Sequence, residues 1–123
     1  MKPKKKVLII DDEPELLELV KKRLEAEGFW CVTAENPVVG LQKISEESPQ
    51  LILLDLMLPK MSGLGFLRIV KGNPATASIP VVVLTALGDE EVAREAMDLG
   101  AVAYLTKVAA PKELMAMVRN YTG

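Results

Sequence analysis

The sequence predicts an α/β fold: a doubly wound sandwich in which one five-stranded parallel sheet carries helices on both faces. Three observations lead there. Short β-rich runs alternate with longer segments of helical period, and the alternation repeats five times. The β-rich runs are continuously apolar, as strands covered on both faces are. Chemistry-bearing residues recur where the runs end, and open parallel sheets bind ligands beyond the carboxyl ends of their strands.

Lys6-Val7-Leu8-Ile9-Ile10 reads as the first strand and ends in Asp11-Asp12. Pro14 follows where a helix's first turn tolerates it, because an N–H there would have no partner. Leu16, Leu17, Val20 and Leu24 recur at helical spacing until Gly28 ends the helix. Phe29 to Ala34 reads as the second strand. Asn36 caps the next helix, Pro37 takes its first position, and Val38, Leu41 and Ile44 form its apolar stripe. Leu51 to Leu54 is the third strand, closed by Asp55. A loop with Pro59 and Gly63 leads into a helix through Phe66, Leu67 and Val70, which Gly72-Asn73-Pro74 stops. Ile79 to Leu84 is the fourth strand, ending at Thr85. Asp89 opens a helix through Val92, Ala96 and Leu99, closed by Gly100. Val102 to Leu105 is the fifth strand, ending near Lys107. Pro111 opens a last helix through Leu114, Val118 and Tyr121.

With 123 residues, half of them hydrophobic, the chain suits one domain over residues 1–123 with a single sizeable core. A net charge of -2 gives no reason to expect direct nucleic-acid binding. The basic start Lys2, Lys4, Lys5 and Lys6 reads as a solvated arm. Cys31 has no second cysteine to pair with, which suits a reducing compartment and a buried thiol. No apolar run approaches a membrane span, so the expectation is a soluble, cytoplasmic protein. Histidine is absent, which excludes chemistry needing the chain's own imidazole. Met57, Met61, Met97, Met115 and Met117 read as packing rather than a cofactor box, with Met115 and Met117 unable both to lie centrally on one helix face.

The chemistry concentrates at the strand ends. Asp11 and Asp12, Asp55, Thr85 and Lys107 stand at the carboxyl ends of strands one, three, four and five. In a parallel sheet those ends form one edge, so three carboxylates, a hydroxyl and an ammonium converge. Crowded carboxylates repel, and a cation relieves them. A hard divalent ion with oxygen ligands fits, Mg²⁺ above all. A carboxylate nucleophile, a metal and two donors are what phosphoryl transfer to an aspartate requires.

Four segments then resemble the response-regulator receiver family of two-component signalling, in the right order and over nearly the whole chain. They are Val7 to Pro14, Leu53 to Pro59 with Gly63 beyond, Ile79 to Ala86, and Gly100 to Lys107. The resemblance implies a flavodoxin-like (βα)5 sandwich with strand order 2-1-3-4-5. It implies that Asp55 accepts a phosphoryl group from the phosphohistidine of a sensor histidine kinase or a histidine phosphotransfer protein. Mg²⁺ (or Mn²⁺) would be held by Asp12, Asp55 and the backbone carbonyl of Met57, with Asp11 acting through a water. Lys107 and Thr85 would each bond a phosphoryl oxygen. Thr85 and Tyr104 would be the switch residues, reshaping the surface of the fourth helix, fifth strand and fifth helix for a downstream output partner. A phosphorylation-dependent dimer is compatible with that picture. No turnover enzyme is implied beyond self-phosphorylation and autodephosphorylation.

The chain departs from the family after Lys107. Family members carry Pro, an aromatic and an acid there; this chain has Val108, Ala109 and Ala110 before Pro111. A cis Lys107-Val108 bond would cost roughly 2.5–4 kcal/mol, so trans is expected. Met57 and Leu87, two residues beyond Asp55 and Thr85, border the path of attacking water; both are apolar, which predicts slow loss of phosphate.

Three other functions compete. An aspartyl phosphohydrolase needs a second Asp two residues after its nucleophile, and Asp11-Asp12-Glu13-Pro14 lacks that spacing. A nucleotide or flavin module needs more than Gly63-Leu64-Gly65, which lacks a third glycine. A degenerate receiver, folded but never phosphorylated and serving as an interaction scaffold, is the serious rival because of the loop after Lys107.

Overall fold

Five parallel strands in the order β2-β1-β3-β4-β5 form the sheet. The computed structural model describes residues 4–56, 63–86, 89–107 and 111–123. The strands are β1 (Lys6–Ile10), β2 (Trp30–Ala34), β3 (Leu51–Asp55), β4 (Val81–Thr85) and β5 (Ala103–Thr106). The helices are α1 (Pro14–Ala26), α2 (Pro37–Glu47), α3 (Gly63–Gly72), α4 (Glu90–Asp98) and α5 (Pro111–Thr122). The expected doubly wound architecture and the order 2-1-3-4-5 are both present.

The pleat divides each apolar run between two cores. Leu8, Ile10, Ile52, Leu54, Val81 and Val83 face one way, against Ile44 of α2, Phe66 and Val70 of α3 and Ala96 of α4. Val7, Ile9, Leu51, Leu53, Val82 and Leu84 face the other, against Leu17, Val20 and Leu24 of α1 and Met115 and Val118 of α5. Register follows from that division: Val7 pairs with Leu51 and Ile52 with Val81. A slip of one residue would swap both faces of a strand at once. The two edge strands, β2 and β5, are only partly buried.

Several elements begin or end away from the sequence expectation. β2 starts at Trp30 rather than Phe29, and β5 runs one residue later than Val102–Leu105. β4 starts at Val81 rather than Ile79, because Pro80 has no N–H; it contributes only its carbonyl, which accepts from Ile52 N at 3.0 Å. Val38 is half exposed, and α2 buries Pro37, Gly40 and Ile44 instead. Gly40 sets that face: a Cβ there would lie 2.6 Å from Ile10 Cδ1. Asn36 caps α2 as expected, its Oδ1 accepting from Val39 N at 3.0 Å. Gly28 and Gly100 close α1 and α4 at φ 93 and 110, backbone that L side chains rarely adopt. Cys31 is buried, and that burial pushes its thiol up to about 12. Met115 is buried and Met117 partly so. Among the described residues, no helix is long and apolar enough to cross a membrane.

Candidate functional site

Four adjacent strand ends build the site. Asp11 follows β1, and its amide still pairs with Ala34 O at 3.1 Å. Asp55 and Thr85 are the last residues of β3 and β4. Lys107 follows β5, and its amide donates to Thr85 O at 2.8 Å. Asp11, Asp55 and Thr85 are buried, while Asp12 is exposed. One carboxylate oxygen from each of Asp11, Asp12 and Asp55 lies within 4.8 Å of the others.

Lys107 is the charge that holds Asp11, Asp55 and Glu13 together. Its Nζ lies 2.9 Å from Asp55 Oδ2, 3.1 Å from Asp11 Oδ2 and 2.8 Å from Glu13 Oε1. Burial works against the ammonium. Glu13, Asp55 and Asp11 outweigh that and hold its pKa above the ordinary lysine value. Asp11 is displaced upward, chiefly by burial. The Glu13 amide, which donates to Asp11 Oδ1 at 2.9 Å, and the Lys107 ammonium oppose the rise; the charge of Asp55 adds to it. Asp11 Oδ2 is buried and accepts no hydrogen bond among the described residues, although the ammonium stands close by.

That oxygen is the observation that tests for a metal. The Lys107 ammonium, 3.1 Å away, is shared among it, Asp55 and Glu13, so this buried oxygen and two more carboxylates form a hard-oxygen donor set with surplus negative charge. It fits a small divalent cation. Asp11, Asp12 and Asp55 could hold one.

Thr85 Oγ1 turns toward β5, donating to Leu105 O at a long 3.5 Å. Tyr104 lies outward and is 44% exposed. Lys107 reaches the acid pocket in spite of its unusual following residues. Met57 with its carbonyl, Leu87, and Val108, Ala109 and Ala110 lie outside the described residues, as does the Lys107-Val108 bond. The sequence reading gave Glu13 no role at the site. The signal available was a third acid directly after Asp11-Asp12, which served there only as part of a motif.

Gly63 ties the start of α3 to the same pocket. Its amide donates to Leu56 O at 3.2 Å. A Cβ there would meet Leu56 Cα at 2.6 Å and Asp55 O at 2.9 Å. Both contacts are backbone, so Gly63→Ala must move either the helix or Asp55. We expect a loss of about 1–3 kcal/mol, the usual cost of overpacking, read as a lower melting temperature. An unchanged melting temperature would mean that the start of α3 yields freely.

A family model for the response regulator receiver domain matches residues 7–119. The phosphate regulon transcriptional regulatory protein PhoB of Klebsiella pneumoniae is 42% identical over 115 residues, covering 94% of this chain and 50% of that protein. The DNA-binding dual master transcriptional regulator RpaA of Synechocystis sp. is 40% identical over 114 residues, covering 93% and 47%. The chain thus spans about half the length of these curated relatives. Among solved structures, a response regulator receiver domain protein from Clostridium thermocellum superposes with a TM-score of 0.88 at 34% identity, covering 96% of this chain and 94% of that one. A CheY-like receiver domain protein from Methanospirillum hungatei gives 0.88 at 29% identity, covering 96% and 93%.

Proposed function

Because the chain belongs to the response regulator receiver domain family, we propose that residues 1–123 act as one phosphoacceptor domain that takes a phosphoryl group onto Asp55. The supporting observation is the Lys107 ammonium 2.9 Å from Asp55 Oδ2, beside the carboxylates of Asp11 and Asp12. An Asp55 oxygen attacks phosphorus, forming an O–P bond. The N–P bond of a donor phosphohistidine breaks, and the donor imidazole keeps the electron pair and takes up a proton. The protein supplies position and charge rather than covalent chemistry of its own.

Mg²⁺ (or Mn²⁺), held by Asp12, Asp55 and the Met57 carbonyl with Asp11 through a water, would supply the charge neutralisation that brings two anions together. Lys107 and Thr85 bond the new phosphoryl oxygens. The Thr85 bond to Leu105 O, at 3.5 Å, is weak enough to exchange for one. As Thr85 moves inward, Tyr104 follows from its exposed position. The α4-β5-α5 surface then presents a second shape, a population shift driven by contacts that only the phosphorylated state makes.

The donor is a sensor histidine kinase or a histidine phosphotransfer protein, and the readers are a cytoplasmic output partner or a second copy of the domain. The near-neutral charge gives no reason to assign this domain a direct role on nucleic acid, although relatives of about twice its length are named as transcriptional regulators. The chain is not a turnover enzyme; its chemistry is its own phosphorylation and dephosphorylation. The rival, a non-phosphorylated scaffold, rests on the altered loop after Lys107; the ammonium 2.9 Å from Asp55 Oδ2 supports the phosphoacceptor reading. The test is intact-protein mass after acetyl phosphate, with and without Mg²⁺. A gain of one phosphoryl group only with Mg²⁺ is expected. No gain from acetyl phosphate or from a phosphorylated histidine donor would favour the scaffold.

A further inference from the structure

Glu13 occupies the N-cap of α1, yet its side chain makes no capping bond. A residue there ordinarily accepts from an amide of the first turn, a task suited to short side chains. Glu13 instead extends to Lys107, 94 residues away, and makes the shortest of the three carboxylate contacts to its ammonium. Its backbone is fixed as well, because its amide donates to Asp11 Oδ1. Glu13 is therefore held in place by the acid pocket while its exposed carboxylate stands outside the group formed by Asp11, Asp12 and Asp55.

That placement separates two roles that the three acids share in this structure. A divalent cation held by Asp11, Asp12 and Asp55 would neutralise the two buried partners of Lys107. Glu13 stands outside that group and would remain the ammonium's uncompensated carboxylate, on the solvent side of the pocket.

We propose that Glu13 is a positioning residue for Lys107, holding the ammonium at the mouth of the pocket and competing for it with the phosphoryl group on Asp55. The proposal rests on Asp55 being the phosphoacceptor. Glu13 then sets how completely the phosphorylated state is populated, because its carboxylate occupies one of the ammonium's three N–H donors and offsets part of the positive charge the phosphoryl group would otherwise receive. An ion pair with one exposed partner is weak, so the competition is modest and adjustable.

The experiment is calorimetric titration of the full chain with beryllofluoride, which stands in for a phosphoryl group on a carboxylate, at saturating Mg²⁺. Wild type, Glu13→Gln and Glu15→Gln are compared. Glu15 lies in the same helical turn and is exposed, but is not one of the three carboxylates around Lys107. Glu13→Gln should bind beryllofluoride about two- to fivefold tighter, the range of an exposed ion pair. Glu15→Gln should match wild type. A purely structural Glu13 would change melting temperature and leave this affinity alone. Equal or weaker binding by Glu13→Gln, or the same tightening in Glu15→Gln, overturns the proposal while the phosphoacceptor reading stands. Failure of the wild type itself to bind overturns both.

Discussion

Asp55→Asn is expected to abolish phosphoryl uptake while leaving the fold close to wild-type stability. The amide fills the same buried space at the end of β3, but its oxygen is a poor nucleophile and forms no acyl phosphate. The stability outcome is less obvious. Crowding of three acids alone predicts that removing one stabilises the metal-free protein. Lys107 changes that balance, because it already sits 2.9 Å from Asp55 Oδ2. The substitution relieves the repulsion that Asp55 exerts on Asp11 and gives up a charge-assisted bond to Lys107, while Asp11 and Glu13 still hold the ammonium. The two changes oppose each other, leaving a net effect within about 1 kcal/mol. Intact mass after acetyl phosphate with Mg²⁺, and a thermal melt without metal, read the two halves separately. Full uptake by the variant would place the phosphoryl group elsewhere. A large drop in melting temperature would mean that the Lys107–Asp55 bond contributes far more than the Asp11–Asp55 repulsion costs.

The same pocket shows which features can be read along a chain. Asp11, Asp55, Thr85 and Lys107 were visible because each closes an apolar run, and parallel strands bring their carboxyl ends to one edge. The sheet was visible for a related reason: Val7 and Ile9 serve one core and Leu8 and Ile10 the other, so a run buried on both faces is apolar throughout. Glu13 was not visible as a partner of Lys107, because a side chain reaching 94 residues away leaves no local pattern. The outward turn of Val38 was hidden too. A helical repeat leaves the centre of the buried face open by about one residue, and Gly40 settled it by letting α2 approach Ile10. Continuous apolarity also failed to distinguish edge from centre, so the partial exposure of β2 and β5 came from topology alone.

Lys107→Met should produce the largest loss of stability of any substitution at the site, and the loss should depend on pH and on metal. Methionine matches the length of lysine and keeps the apolar stem packed, but brings no charge. Asp11 and Asp55 are then buried beside each other without their cation. Breaking a buried pair costs about 3–5 kcal/mol; with Lys107 partly open to solvent, about 2–4 kcal/mol is reasonable, or roughly 10 °C in melting temperature. The sign with pH follows from the two shifts. The pKa of Lys107 is raised in the fold, so its contribution is fully present below its ordinary 10.5 and is lost only as pH rises through the higher folded value. The full gap between wild type and variant is therefore seen at neutral pH. The pKa of Asp11 is also raised, so its ionised form costs stability, and that cost disappears as pH falls through the folded value toward the ordinary 3.8. Without Lys107 the cost is larger, so acidification should restore the variant more than the wild type. Saturating Mg²⁺ should narrow the gap as well, by supplying the missing positive charge to the same carboxylates. Thermal melts of both proteins from neutral pH down toward 3.8, with and without Mg²⁺, decide the matter. A gap that ignores both pH and metal would mean that Lys107 stabilises the fold through packing, and that the acids at the strand ends carry little of the cost assigned to them here.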